Sequence, residues 1–171
     1  MTEWTQRAHV LADHAVSGVL GHVSSLHFDT MSELLWVGSA SGQLTSHTGA
    51  LPTLPRYTSL AAHGAPKQPR HVRGILSDDK FIISLSEGRV CASQRQGLGR
   101  WSMQIEDHAP GVALAGLCAS PQSASSDIIV GGAAPNSHDA LFALHSISGR
   151  VVRSAVSDGT VTQLRKGSRY L

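Results

Sequence analysis

The stretch LLWVGSASGQL, residues 34–44, passes from four large apolar residues to five small ones and then returns to leucine. A nucleophile elbow needs Gly-x-Ser-x-Gly, but the central residue of this cluster is Ala40. A phosphate-binding loop needs a lysine after its second glycine, and here Gln43 follows Gly42. The stretch therefore predicts a β-hairpin, in which an apolar strand is followed by a turn with positive φ at Gly42 and by a second strand.

This hairpin gives specific expectations for its side chains. We expect Trp36 to be buried in a central strand, because an unbroken apolar run is typical of a strand covered on both faces. Gly38 is expected to let the chain leave the sheet. The hydroxyls of Ser39 and Ser41 are expected to be solvated in the turn, so that replacing either one costs little stability. A hydrolase with Ser39 or Ser41 as nucleophile is the enzyme alternative, and the motif register disfavours it.

The composition indicates a core-forming chain of low charge. Hydrophobic residues make up 41% of the 171 residues, charged residues 15%, and the net charge is +2. That charge is too small to indicate nucleic-acid binding by itself. Cys91 and Cys118 form no CxxC pair, and both are expected to be reduced core thiols. We find no signal peptide and no apolar run approaching the ~18 residues of a membrane span, so we expect a soluble intracellular protein with no membrane partner.

Short predicted strands recur along the chain in three rounds of four. They cover residues 23–28, 34–37, 43–47 and 56–61, then 72–76, 81–85, 89–93 and 100–105, then 112–119, 127–130, 140–145 and 150–156. The fourth strands of the rounds begin at Arg56, Arg100 and Arg150, which lie 44 and 50 residues apart. Four strands at an interval of about 40–50 residues are typical of a propeller blade. The sequence predicts an all-β, WD40-like β-propeller.

The predicted propeller is incomplete. The expected parts are an N-terminal leader or closing strand at 1–22, blades at 23–64, 71–109 and 111–158, and the start of a fourth blade at 160–171. Propellers close with about 4–8 blades, so either these residues are a piece of a longer protein, which is the interpretation we favour, or a partner closes the propeller. Gly21-His22 resembles the Gly-His pair that opens a WD40 repeat, and His22 is expected to pack and hydrogen-bond within the blade.

Several short segments also resemble one known family. These segments are VSSLHFD at 23–29, ELLWVG at 33–38, GQLTS at 42–46, RYTSLAAH at 56–63, ISL at 83–85, RQGL at 95–98, and Trp101. In this order they resemble the N-terminal WD40 region of the catalytic subunit of the poly(A)-nuclease (PAN) deadenylation complex. The similarity is strongest over residues 23–101.

The resemblance implies a non-catalytic scaffold that acts in mRNA poly(A)-tail shortening and mRNA decay, in the cytoplasm and, as one option, in P-bodies. In that family a C-terminal, metal-dependent exonuclease domain removes the tail. The propeller helps to hold a pseudokinase-like regulatory subunit and the ribonucleoprotein of poly(A) RNA with poly(A)-binding protein. We therefore expect no enzyme activity and no cofactor in these residues. The alternative is a generic WD40-like interaction scaffold unrelated to RNA decay.

Candidate contact residues are basic, because flexible cations can bind phosphates. Those in the loop between the first two blades and around a second loop are Lys67, Arg70, Arg73, Arg95 and Arg100. We interpret them as candidate RNA or partner contacts, with solvated loop charges as the alternative. The adjacent acids Asp78 and Asp79 are expected to form a hairpin turn. No histidine pair has zinc-binding spacing, so we expect no metal site.

Overall fold

The computed structural model describes residues 22–48, 55–65, 68–119, 127–133 and 139–157. Residues 1–21 of the leader expected at 1–22, the expected start of a fourth blade at 160–171 and Lys67 lie outside these ranges. Within them the chain forms three four-stranded antiparallel sheets, each a meander in chain order. The strands of these three sheets fall inside the three predicted blades. The predicted all-β fold is confirmed, and the blade boundaries stay predictions.

The strands of the first sheet are β1 Val23–Asp29, β2 Leu34–Ser39, β3 Leu44–Thr48 and β4 Arg56–Leu60. A two-stranded connection follows, made of β5 Gly64–Ala65 and β6 Gln68–Pro69. The second sheet consists of β7 Gly74–Ser77, β8 Ile82–Leu85, β9 Arg89–Ser93 and β10 Gly99–Gln104, and a short 3-10 helix, Ile105–Asp107, follows it. The third sheet consists of β11 Ala113–Ala119, β12 Asp127–Ala133, β13 Asp139–His145 and β14 Val151–Ser157.

The three sheets stack with their first strands as neighbours. Strand β7 contacts both β1 and β11. The first strands therefore lie on the inside and the fourth strands on the outside, which is the arrangement of propeller blades. We call the interface between the first and second sheets the first seam, and the interface between the second and third sheets the second seam.

The core lies in these two seams. The first seam buries Leu34, Trp36, Leu44, Val72 and Ile82. The second buries a larger cluster, made of Phe81, Ile83, Leu85, Val90, Ala92, Met103, Ile105, Val112, Leu114, Ile128, Val130, Phe142 and Leu144. Successive residues of β8 thus belong to different seams, because side chains alternate between the two faces of a strand. The second sheet is buried on both faces, which explains why residues 81–83 are consecutively apolar.

The hairpin at residues 34–44 is present, with Trp36 and Val37 fully buried and φ of 82° at Gly42. The expectation for Gly38 is wrong, because this residue lies inside β2 rather than at its exit. A Cβ at this position would lie 2.6 Å from the Cβ of Val72. Glycine is required here because the chain leading into the second sheet crosses β2 at close range.

The expectation of solvated turn hydroxyls is wrong for Ser39. This residue is fully buried. Its hydroxyl accepts a hydrogen bond from the Gln43 N–H at 3.1 Å and is bonded to the Ser41 hydroxyl at 2.7 Å. The hydroxyl therefore closes the turn from within, in an environment where an unpaired polar group would be costly. A buried, internally bonded serine is also unsuited to act as an exposed nucleophile.

Replacing Trp36 with alanine should lower the free energy of unfolding by about 3–5 kcal/mol, because it empties a fully buried site. The variant Trp36→Phe should cost clearly less, since the indole N–H has no hydrogen-bond partner among the described residues. Urea denaturation followed by circular dichroism measures both changes.

The matched control for this experiment is Tyr57→Ala. The Tyr57 side chain is 55% exposed, so its removal should change the free energy of unfolding by less than about 0.5 kcal/mol. Equal losses at positions 36 and 57 would contradict the burial of Trp36.

Candidate functional site

Two of the predicted contact residues, Arg70 and Arg73, lie beside the turn between β8 and β9. The Arg73 guanidinium forms an ion pair with the Glu87 carboxylate, and both side chains are exposed. The Arg70 guanidinium lies over Gly88 and leaves no room for a Cβ there. Arg70, Glu87 and Gly88 line an open cavity of about 430 Å³ that extends to Glu106 and to the start of β11. We call it the turn cavity.

Arg95 lies at the opposite end of the second sheet, and its guanidinium donates hydrogen bonds to other parts of the chain. Its Nε donates to Oδ2 of Asp29 at 2.5 Å, and its Nη2 donates to Oδ1 of the same carboxylate at 3.3 Å. It also donates to the backbone oxygens of Asp78 and Asp79 at 2.7 and 3.2 Å. Only 16% of its side chain is exposed. Arg95 therefore joins turns of the first and second sheets.

The predicted basic residues do not form a single patch. Arg70 lines the turn cavity and Arg73 pairs with Glu87 at its edge, whereas Arg95 is engaged at the other end of the sheet. Arg100 is exposed on the outer strand β10. The role of these residues as RNA or partner contacts stays a prediction.

The carboxylate of Asp29 is fully buried and collects hydrogen bonds from several donors. Besides Arg95, the Ser32 hydroxyl donates at 2.5 Å and the Met31 N–H at 3.2 Å. Burial by itself would raise the pKa of Asp29, but these hydrogen bonds and the charge of Arg95 outweigh it and lower the pKa to about 2. The Asp29 carboxylate is therefore ionised at neutral pH and holds the turn between β1 and β2.

The acids Asp78 and Asp79 form a turn, as predicted. Oδ1 of Asp78 accepts the N–H groups of Lys80 and Phe81 at 2.8 and 2.6 Å, which is ordinary turn chemistry for aspartate. Within the described ranges, no group of three or more His, Cys, Asp or Glu side chains is placed to hold a metal ion. Nor does any helix in that part of the chain have the length and apolar character to cross a membrane.

Two histidines that the sequence reasoning did not select hold the first seam. Nε2 of His27 accepts the Ser77 N–H at 3.1 Å, so this nitrogen carries no proton, and the Ser77 hydroxyl, 2.8 Å away, must donate to it. Nε2 of His63 is bonded to the Ser84 hydroxyl at 2.9 Å. Burial lowers the pKa of His27, although the neighbouring Asp29 carboxylate opposes the shift. Burial, with the positive charge of Arg89, lowers the pKa of His63 to about 4.

Cys91 lies beside His63 in the same seam. Its thiol donates to the backbone oxygen of Ala62 at 3.2 Å and lies 3.9 Å from Nδ1 of His63. Burial raises the pKa of the Cys91 thiol to about 12, so it carries almost no thiolate at neutral pH. Both cysteines are free, as predicted, although Cys118 is only half-buried.

The expectation for His22 is corrected by the structure. The His22 side chain is exposed, and only its backbone oxygen is bonded, to the Ala40 N–H at 2.8 Å. The packing role belongs to His63, which lies 41 residues later. The sequence signal that could have identified His63 is its distance of 41 residues from His22, which is about one repeat interval.

Comparison with known proteins places this architecture in a family. The sequence model described as "PAN2 N-terminal" matches residues 8–171. The chain belongs to the PAN2 N-terminal family. The PAN2-PAN3 deadenylation complex catalytic subunit pan2 of Aspergillus oryzae is 36% identical over 149 residues, which are 86% of this chain. The corresponding subunit of Schizosaccharomyces pombe is 36% identical over 85 residues, which are 50% of this chain.

One solved structure agrees with membership of the PAN2 N-terminal family. The Neurospora crassa Pan2 WD40 domain matches with a TM-score of 0.70 and 26% identity, over 84% of this chain and 40% of that one. This match confirms the predicted WD40-like fold. BamB from Moraxella catarrhalis matches with a TM-score of 0.58 over 79% of this chain and 37% of its own, and at 14% identity it shows the fold alone. The chain spans 12% of the length of the Aspergillus oryzae relative and 7% of the Schizosaccharomyces pombe one.

Replacing Arg95 with alanine should destabilise this PAN2 N-terminal chain by about 3–5 kcal/mol, because it leaves the buried Asp29 carboxylate unpaired. Arg95→Lys should give an intermediate loss, since lysine keeps the charge but lacks the paired donors. Urea denaturation at pH 7 measures the three proteins, with Arg153→Ala on the exposed face of β14 as the control.

The Asp29–Arg95 pair also predicts that the stability of the chain falls at low pH. Because the pKa of Asp29 is lowered from 3.8 to about 2, its stabilising contribution is complete above pH 3.8 and is lost as the pH falls through about 2. The variant Asp29→Asn should be less stable at pH 7 and should lose less additional stability between pH 4 and pH 2 than the unmodified chain. Parallel pH profiles of the two proteins would contradict the ionised state of Asp29.

His63 predicts a second pH dependence at milder acidity. Its pKa falls from 6.5 in the unfolded chain to about 4 in the folded one, so the unfolded state binds more protons between these values. Stability should therefore decrease as the pH falls from 6.5 to 4. His63→Gln should reduce that slope by up to about 1.4 kcal/mol per pH unit, measured by urea midpoints at pH 7.5, 6 and 5. The exposed-site control is Ser102→Ala on β10, which removes no titrating group and should keep the original slope.

Proposed function

We propose that this chain is a non-catalytic scaffold segment of a PAN2-type deadenylase subunit that acts in mRNA poly(A)-tail shortening and mRNA decay. The observation that carries the proposal is the family match over residues 8–171, on a chain whose described part is built of stacked propeller sheets. The relatives are named as catalytic subunits of a PAN2-PAN3 complex. The proposed partner is therefore a PAN3-type, pseudokinase-like regulatory subunit.

The second proposed partner is poly(A) RNA with its bound poly(A)-binding protein, and the proposed location is the cytoplasm, with P-bodies as one site. Arg70 and Arg73 are the described cations best placed for such contacts. Both are exposed; Arg70 lines the turn cavity, and Arg73 pairs with Glu87, which lines it as well. Arg95 is less suited, because its donors bind Asp29 and backbone oxygens.

The proposal assigns no chemistry to these residues. A two-metal nuclease needs several carboxylates that converge on cations about 3.5–4 Å apart. In the described ranges the buried Asp29 is paired with Arg95, and Asp78 is occupied by its own turn. The hydroxyl of Ser39 is likewise engaged within its hairpin. These arrangements support a binding role.

Binding of the partner tests the scaffold role directly. The tagged 171-residue chain should co-elute in size-exclusion chromatography with a purified PAN3-type subunit or with poly(A)-binding protein loaded on poly(A). The double variant Arg70→Gln and Arg73→Gln should weaken that binding by about three- to tenfold, because each exposed contact contributes modestly. The matched variant Arg153→Gln should bind like the unmodified chain. Failure of the unmodified chain to bind either partner would refute the scaffold role.

A nuclease assay tests the absence of catalysis separately. Incubation of the chain with poly(A) and Mg²⁺ should release no AMP. Release of AMP that survives repurification and is lost in the variant Asp78→Asn with Asp79→Asn would overturn the non-catalytic assignment.

A further inference from the structure

Backbone hydrogen bonds hold the walls of the turn cavity in place. The Glu87 oxygen accepts the Leu114 N–H at 2.7 Å, and the Gly88 oxygen accepts the Ile105 N–H at 2.9 Å. The turn between β8 and β9 is therefore tied both to β11 and to the 3-10 helix. A site with fixed walls loses little conformational freedom when it binds. The cavity volume of about 430 Å³ lies within the range of about 300–1,000 Å³ that is typical of ligand sites.

Part of the lining is apolar and belongs to the core. Ile105 and Val112 line the turn cavity, and both are members of the buried cluster of the second seam. Ala113 adds one more small apolar side chain to the lining. An aliphatic side chain that entered the cavity would exchange water for these apolar contacts, which is favourable.

The turn cavity also carries charges of both signs that are not paired with each other. Its lining includes the guanidinium of Arg70 and the carboxylates of Glu87 and Glu106. Glu87 is paired with Arg73, but neither Arg70 nor Glu106 takes part in an ion pair among the described residues. The exposed Glu106 carboxylate accepts the Gly111 N–H at 3.5 Å, which is a weak contact. One positive and one negative group therefore face the same cavity, which favours an occupant that carries both signs.

This lining disfavours RNA as the occupant. RNA-binding grooves combine cations with aromatic faces on which bases stack, and the described lining of the turn cavity has no aromatic side chain. The carboxylates of Glu87 and Glu106 would also lie close to the phosphates, and like charges at such an interface are costly.

The shape of the cavity favours a segment of a protein over a free small molecule. Sites for small molecules bury about 70–90% of their ligand, whereas the turn cavity is open to the outside. A segment of a folded partner can place a few side chains in an open cavity while the rest of the partner covers it.

We propose that the turn cavity binds a short exposed segment of a partner protein, in which an aliphatic residue lies between an acidic and a basic residue. The acidic side chain pairs with Arg70 and the basic side chain with Glu106, while the aliphatic side chain contacts Ile105 and Val112. This inference rests on the proposed scaffold role and deepens it, because it names the chemistry of the segment that a partner presents to this chain.

Fluorescence anisotropy with labelled nine-residue peptides tests the proposal on the 171-residue chain. Two peptides carry Glu-Val-Lys or Lys-Val-Glu at the centre, with glycine and serine on both sides, and so cover both directions of the segment. At least one of them should bind. Peptides with Glu-Val-Glu or Lys-Val-Lys at the centre should bind about tenfold more weakly, because each places a like charge beside Glu106 or Arg70.

Reversing one charge of the cavity should reverse this preference. Arg70→Glu should weaken binding of the mixed-charge peptide by about tenfold or more, and it should bind the Lys-Val-Lys peptide instead. Glu106→Lys should shift the preference to the Glu-Val-Glu peptide. Both positions are exposed, so circular dichroism should show an unchanged fold. The matched control Arg153→Glu, at an exposed position of β14, should keep the preference of the unmodified chain.

Three results would overturn the proposal: neither mixed-charge peptide binds, Arg70→Glu leaves the peptide preference unchanged, or a twelve-nucleotide oligo(A) displaces the bound peptide in an Arg70-dependent manner. The peptide assay contains no PAN3-type subunit and no poly(A)-binding protein. Its failure would therefore refute the chemistry of the segment and leave the scaffold role standing. Failure of co-elution, with peptide binding intact, would refute the scaffold role and leave the peptide site standing.

Discussion

Burial of both faces of the second sheet is the constraint on which the described fold depends. Along β8 the side chain of Ile82 enters the first seam, and those of Ile83 and Leu85 enter the second. A single sheet cannot cover both of its own faces, so the second sheet requires the first and the third beside it. The glycine at position 38 follows from the same stacking, because Val72 must pass close to β2 before the second sheet begins.

Apolar burial brings the sheets together, and directional polar contacts fix how the first two are aligned. In the first seam the Asp29–Arg95 pair, the His27–Ser77 bond and the His63–Ser84 bond each join one sheet to the next. Such contacts tolerate little displacement, whereas apolar packing is non-directional. The second seam relies more on its large apolar cluster, with the bond from Trp101 to Ser146 as a polar addition.

The sequence predicted what is encoded locally. The alternation of apolar and polar side chains, together with turn residues at the strand ends, located every strand of the three sheets. The four-residue apolar run around Trp36 identified a buried central strand. Gly42 was recognised because the turn itself requires a positive φ. The family was recognised from short segments that keep their order along the chain.

Features that depend on distant residues could not be predicted in this way. Arg95 lies 66 residues from Asp29, and within its own turn it is indistinguishable from a solvated cation. His22 and His63 lie about one repeat interval apart in sequence, yet only the second packs into a seam, because the sheet it contacts supplies Ser84. Ser39 is a turn residue in sequence and a core residue in space, because the chain leading into the second sheet passes over it and the Val72 N–H bonds to its backbone oxygen.

The unequal apolar content of the two seams has a thermal consequence. Among the described residues, the cluster of the second seam holds thirteen buried hydrophobic side chains and that of the first seam holds five. Exposure of apolar surface increases heat capacity, and apolar burial stabilises less as temperature falls. Separation of the third sheet from the second therefore carries the larger heat-capacity change. Cooling weakens that seam more than the polar-bonded seam between the first two sheets, so the two seams reach their greatest strength at different temperatures.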